Sequence, residues 1–144
     1  MAGAVMLMTV TMLAIWLFSN QDATQSRALS RELALLLEKL PIVRGLVQLD
    51  ESGLILRKLS HIAIYAVLGL NMSATLRSVL TAQKTLGVSL VLGMLYAISD
   101  ELNQGFTPGR TASLRDVLID AGGLILGICI GVWICQKSMA PKSP

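Results

Sequence analysis

Four stretches of this chain, about residues 1–18, 54–72, 86–103 and 116–135, are apolar over lengths that match a lipid bilayer. At ~1.5 Å rise per residue, a helix of ~17 to 20 residues crosses ~30 Å of hydrocarbon. Lipid offers backbone amides no water to bond, so segments of this kind fold as helices. The expectation is an all-α membrane protein: a bundle of four transmembrane helices plus one short interfacial amphipathic helix, forming a single domain over residues 1–144.

Composition agrees. Apolar residues make up 53% of the chain and charged residues only 15%, against roughly 25% in soluble domains. A chain of 144 residues leaves no room for a separate soluble catalytic domain. The net charge of +3 is too small and dispersed for a nucleic-acid surface, and aromatics are too few for base stacking. Cys129 and Cys135 stand six apart in the last apolar stretch, on different sides of a helix, and are expected as packing residues. The first stretch lacks a basic start and a small-residue cleavage site, so it reads as a retained helix. The near absence of charge before it leaves a longer start open.

An even number of spans puts both termini on one side. Residues 19–57 and 103–116 then share a side, and residues 73–85 share the other with the C-terminal tail. The tail side carries Arg77, Lys84, Lys137 and Lys142 and no acid, while all nine Asp and Glu fall opposite. Eight of the twelve Lys and Arg also fall opposite, so a literal positive-inside count favours the reverse orientation. Several of those cations sit beside carboxylates or in an interfacial helix. Discounting them places the termini in the cytoplasm and the polar signature outside. The interfacial helix is read over residues 26–40. Leu29, Leu33, Leu36, Leu37 and Leu40 recur at spacings of three and four, with Arg27, Arg31, Glu32, Glu38 and Lys39 on the other face, before Pro41. It is expected to lie along the membrane surface.

A carboxylate at membrane depth loses its hydration, so it persists where it pairs, meets water, binds a cation or does chemistry. Asp100, Glu101, Gln104, Arg110, Asp116 and Asp120 all sit at the ends of two spanning segments. On the second span Arg57, Lys58, His61 and Tyr65 share one face, and His61 is the only histidine. That residue type suits proton carriage, metal ligation or hydrogen bonding. Tyr96, Asp100 and Gln104 form a stripe on the third span, with Glu101 beside it. Phe106-Thr-Pro-Gly-Arg110 reads as a tight turn of type II, with Pro108 fixing one backbone angle and Gly109 free to take positive φ. It presents a guanidinium either to a phosphate or carboxylate, or to a salt bridge with Asp100, Glu101 or Asp116. On the fourth span Asp116, Asp120, Gly123, Gly127 and Gly131 follow steps of four, three, four and four. Glycines at such steps let a second backbone come close, so this stripe is expected to face into the bundle.

Phe18-Ser-Asn-Gln21, Arg57-Lys58-x-x-His61-x-x-x-Tyr65, Tyr96-Ala-x-x-Asp100-Glu101-x-x-Gln104-x-Phe106-x-Pro108-Gly109-Arg110 and Asp116-x-x-x-Asp120-x-x-Gly123-x-x-x-Gly127 resemble the VanZ-like family. The resemblance runs over residues 18–127. Asn20 stands where a second serine is common, and the first span lacks the usual basic start. The resemblance implies a small multi-pass protein of the bacterial cytoplasmic membrane. Its namesake is associated with resistance to the glycopeptide teicoplanin without the exchange of the cell-wall peptide terminus used by the rest of its cluster.

The leading expectation is an outer-face site for an anionic lipid or lipid-linked envelope precursor, which it binds and, in an enzymatic version, hydrolyses or transfers. Arg57, Lys58, Tyr65, Gln104 and Arg110 would bind substrate, while His61, Asp100, Glu101, Asp116 and Asp120 would carry acid–base chemistry or hold a divalent cation, the one cofactor suggested. Such a cation would relieve repulsion between the acids and an anionic substrate. The other readings are a non-enzymatic binder that shields lipids or modulates other membrane proteins, a small transporter or proton path through Asp120, His61 and Tyr65, and an ion-pair network that only holds helices together. No Gly-rich phosphate loop, HExxH helix or serine elbow occurs.

Overall fold

A computed structural model describes residues 2–41, 44–45 and 53–139. Asp50, Glu51 and Lys142, which entered the charge comparison, lie outside the described residues. Five helices are named here: α1 (Ala2–Ser19), α2 (Ala23–Leu37), α3 (Leu54–Leu76), α4 (Ala82–Gly105) and α5 (Leu114–Met139), with no strand among the described residues. Four of them, α1, α3, α4 and α5, are long and apolar enough to cross a membrane, which makes this a multi-pass membrane protein.

The second span runs on at its C end to Leu76, and the last two begin ahead of their apolar windows, where polar groups close their N ends. Thr81 Oγ1 accepts the Lys84 N–H at the start of α4. At the start of α5, the Ser113 carbonyl accepts the N–H groups of Asp116 and Val117. The amphipathic helix also begins earlier than its leucine pattern, at Ala23 rather than 26, because Asp22 caps it. The Asp22 carboxylate accepts the Thr24 and Gln25 N–H groups, and the Gln25 side chain accepts the Asp22 N–H. Its inward face is also rotated from the leucine stripe. The helix ends at Leu37 rather than 40; Ser26 and Ser30 are its buried residues, while Leu36 is exposed, where a helix resting on a bilayer would meet acyl chains.

Helix α3 touches every other helix, and its contact with α5 is the most extensive in the fold. Glycine makes that contact close. A Cβ at Gly123 or Gly127 would run into the backbone of Ile62 or Ala66, and one at Gly69 into the backbone of Leu124 and Ile128. The core between the helices is Ile15, Tyr65, Leu68, Met72, Ala97, Leu124, Ile128 and Val132. Outward positions such as Leu13, Val91, Leu95, Leu126 and Ile134 stay exposed, as lipid-facing side chains do. Cys129 belongs to that exposed surface, contrary to the packing role expected of it. The C end of α5 carries Trp133 with Lys137 stacked 4.1 Å from its ring centre, an amphipathic pair suited to a membrane boundary.

One end of the bundle collects the C ends of α1 and α4 and the N ends of α3 and α5. The polar signature lies there.

Candidate functional site

Asp100 is the centre of a buried network drawn from three helices. Its carboxylate accepts hydrogen bonds from Ser19 Oγ of α1 (2.5 Å), the Tyr65 hydroxyl of α3 (3.1 Å) and the Gln104 amide of its own helix (3.1 Å). Gln104 also donates to Ser19 Oγ at 3.3 Å. Three donors replace much of the hydration that burial removes, which is how a carboxylate is tolerated at this depth. Glu101, one position on, accepts the Ser113 N–H at 2.7 Å and so fastens the chain just ahead of α5.

Asp120 is 0% exposed and meets His61, with Nδ1 and Oδ1 3.1 Å apart. Against a carboxylate, Nδ1 is the protonated nitrogen and donates, which leaves Nε2 free to accept. The imidazole side chain is 25% exposed. Asp116 lies one turn nearer the end of the helix, half-buried, and its side chain makes no hydrogen bond among the described residues. Tyr96 stands apart, donating to the Met12 carbonyl of α1 at 2.6 Å.

Arg110 leaves the expected turn. The Arg110 N–H bonds the Thr107 carbonyl at 3.1 Å, and Gly109 has φ 75°, the type II geometry read from Pro108-Gly109. Its guanidinium, however, forms no salt bridge with Asp100, Glu101 or Asp116. It donates to the Ser19 carbonyl (3.2 Å) and to Ser26 Oγ (3.1 Å), both neutral. The one close acid–base contact among the described residues is His61–Asp120, a hydrogen bond when the imidazole is neutral, so an ion-pair network does not hold this end together. Burial lowers the proton affinity of Arg110 from its ordinary value, and neighbouring Arg57 lowers it further, while Glu101, Asp100 and Asp116 oppose. An arginine remains charged even so. It is a cation that an anion would relieve.

Two open cavities meet at these cations. The first, about 330 Å³, lies between α1, α2 and α3. Phe18, Leu29, Leu33 and Ile64 form its apolar walls, and Arg57, His61, Tyr65 and Arg110 stand at its polar end. The second, about 320 Å³, is a polar vestibule that shares Arg57 and Arg110 and adds Lys58, Arg115, Gln104 and Asp116. A crevice of about 10 Å³ bordered by His61, Asp116 and Asp120 has room for about one water.

Asp100, Glu101 and Asp120 line neither large cavity; of the expected acids, only Asp116 does. Glu101 Oε2 and Asp120 Oδ2 are buried without a hydrogen-bond partner, as a metal ligand could be. No three His, Cys, Asp or Glu among the described residues come together as a protein-only metal site.

Residues 4–135 match the VanZ/LLP1 family. The chain belongs to that family. Compared with curated proteins and with solved structures, it finds no match. This VanZ/LLP1 protein brings His61, Tyr65, Asp100, Gln104 and Asp120 into two adjoining hydrogen-bonded groups, sets Glu101 on the α5 approach, and leaves Arg57, Lys58, Arg110 and Asp116 on the cavity walls. Sequence reasoning missed Ser19, Ser26 and Arg115. Ser19 was visible only within the motif after the first span. Its role as donor to Asp100 and carbonyl acceptor for Arg110 depends on how α1 packs.

Proposed function

We propose that this protein binds an anionic lipid or lipid-linked envelope precursor at the outer face of the bacterial cytoplasmic membrane, with both termini in the cytoplasm. The observation that carries the reading is the apolar cavity whose polar end holds Arg57 and Arg110 and no carboxylate. At about 330 Å³ it falls within the ~300–1,000 Å³ typical of small-molecule sites. An acyl or isoprenoid chain suits its walls. A phosphate suits the two guanidinium groups, which can each offer paired donors. A link to glycopeptide and teicoplanin resistance would run through the handling of such lipids. In the test, lipids that co-purify with the protein are compared with bulk membrane. Anionic species should be enriched, and a retained composition identical to bulk would defeat the proposal.

A second, enzymatic reading rests on His61, whose Nδ1 is held by buried Asp120 and whose side chain lines the cavity. In a hydrolysis, water oxygen bonds phosphorus, the phosphorus–oxygen bond to the leaving group breaks, and Nε2 takes the proton from water and passes it to the leaving oxygen. Asp120→Asn would no longer select that tautomer. It should lower phosphate release from a lipid phosphate ~100-fold or more while lipid retention stays within roughly threefold. Absence of turnover by the wild type leaves the protein a non-enzymatic binder.

A further inference from the structure

The vestibule carries more positive charge than one phosphate requires. Arg57, Lys58, Arg110 and Arg115 line it against a single acid, Asp116. None of these cations is ion-paired among the described residues. The carboxylates behind them are buried and bonded to other groups: Asp100 accepts from three donors, while one oxygen of Asp120 meets His61 and one oxygen of Glu101 accepts the Ser113 N–H. The polar surface open to a ligand is thus strongly cationic, although the end of the bundle is rich in acids.

The order of the cations along the site also matters. Arg57 and Arg110 border both the apolar cavity and the vestibule, whereas Lys58 and Arg115 border only the vestibule. A lipid with its chain between α1, α2 and α3 meets Arg57 and Arg110 first and the other two cations beyond them. We infer that the ligand is a lipid diphosphate, its chain-proximal phosphate between Arg57 and Arg110 and its distal phosphate against Lys58 and Arg115. This rests on the lipid-binding reading above and narrows it. A monophosphate would leave Lys58 and Arg115 without an anion. A zwitterionic head would place an ammonium group among four cations, a repulsion that the single carboxylate of Asp116 does not offset.

Cationic side chains at a membrane edge also attract anionic lipid from the bulk without any site. Saturable binding that depends on phosphate number separates the two situations. The full-length protein, reconstituted in phosphatidylcholine nanodiscs, is titrated with farnesyl phosphate and farnesyl diphosphate, and with phosphatidate and diacylglycerol diphosphate. The first pair presents isoprenoid chains and the second acyl chains, so the same titrations show which chain the cavity accepts. The diphosphate of at least one pair should bind ~10-fold or more tightly than its monophosphate, and that preference should shrink to roughly twofold in the Lys58→Gln, Arg115→Gln double variant. Arg115 is exposed, so Arg115→Gln alone serves if the double variant does not fold. Equal affinity for mono- and diphosphates in both pairs overturns the inference and leaves anionic-lipid binding intact. Failure of all four probes to bind saturably overturns both.

Discussion

Arg110→Ala is expected to weaken retention of an anionic lipid by ~10- to 100-fold, the equivalent of ~1.5–3 kcal/mol for a charged hydrogen-bonding group. Three features of Arg110 lead there. Its guanidinium borders both cavities, so it touches a ligand that spans them. Its present acceptors, the Ser19 carbonyl and Ser26 Oγ, are neutral and leave its charge unmatched. Burial and Arg57 both disfavour that charge, and a bound phosphate would reverse the disadvantage. The same hydrogen bonds tie α1 to α2, so stability has to be measured beside binding. Arg110→Lys keeps the charge but loses the planar fork, and its retention should fall between wild type and Arg110→Ala. The measurement is lipid bound per folded protein, by mass spectrometry of samples matched for thermal stability. Wild-type retention by Arg110→Ala would remove the guanidinium from the binding role.

Much of this fold was legible because the bilayer narrows the choices. Apolar length located four spans, and the steps linking Asp116, Asp120 and Gly123 to Gly131 marked the inward face of α5. Pro108-Gly109 specified its turn through φ alone. Periodicity assigns residues to a face but does not say which neighbour that face meets. The leucines of α2 pointed to one side of that helix, yet packing turned Ser26 and Ser30 inward, and Ser26 accepts from Arg110, eighty-four positions away in sequence. The partners of the acids were hidden for the same reason. Clustered in sequence with Asp116, the residues Asp100, Glu101 and Asp120 suggested a site where a divalent cation would ease the repulsion of an anionic substrate. In space each finds a donor from another helix or the α5 approach, and the cations are left to face the cavities. The separation of buried acids from cations that line the cavities arises from tertiary packing.

That packing depends on how near α3 and α5 can come, which makes Gly127→Ala the substitution expected to harm stability most. A Cβ at 127 would overlap the backbone of Ala66, and backbone, unlike a side chain, has no other rotamer to adopt. Relief requires the helices to separate, at a cost of ~3 kcal/mol or more. Separation would also pull Asp120 from His61, which now stand 3.1 Å apart, and strand a carboxylate that is wholly buried. Stability loss and site disruption should therefore appear together. The control lies five residues earlier: a Cβ at Gly122 would meet nothing within 4 Å. Gly122→Ala should be neutral or more stable by up to ~1 kcal/mol, since alanine favours helix over glycine. Denaturant titrations in detergent compare the two, with lipid retention as a second readout. If Gly127→Ala proved as stable as Gly122→Ala, the close α3–α5 contact would not be what holds the two halves of the site together.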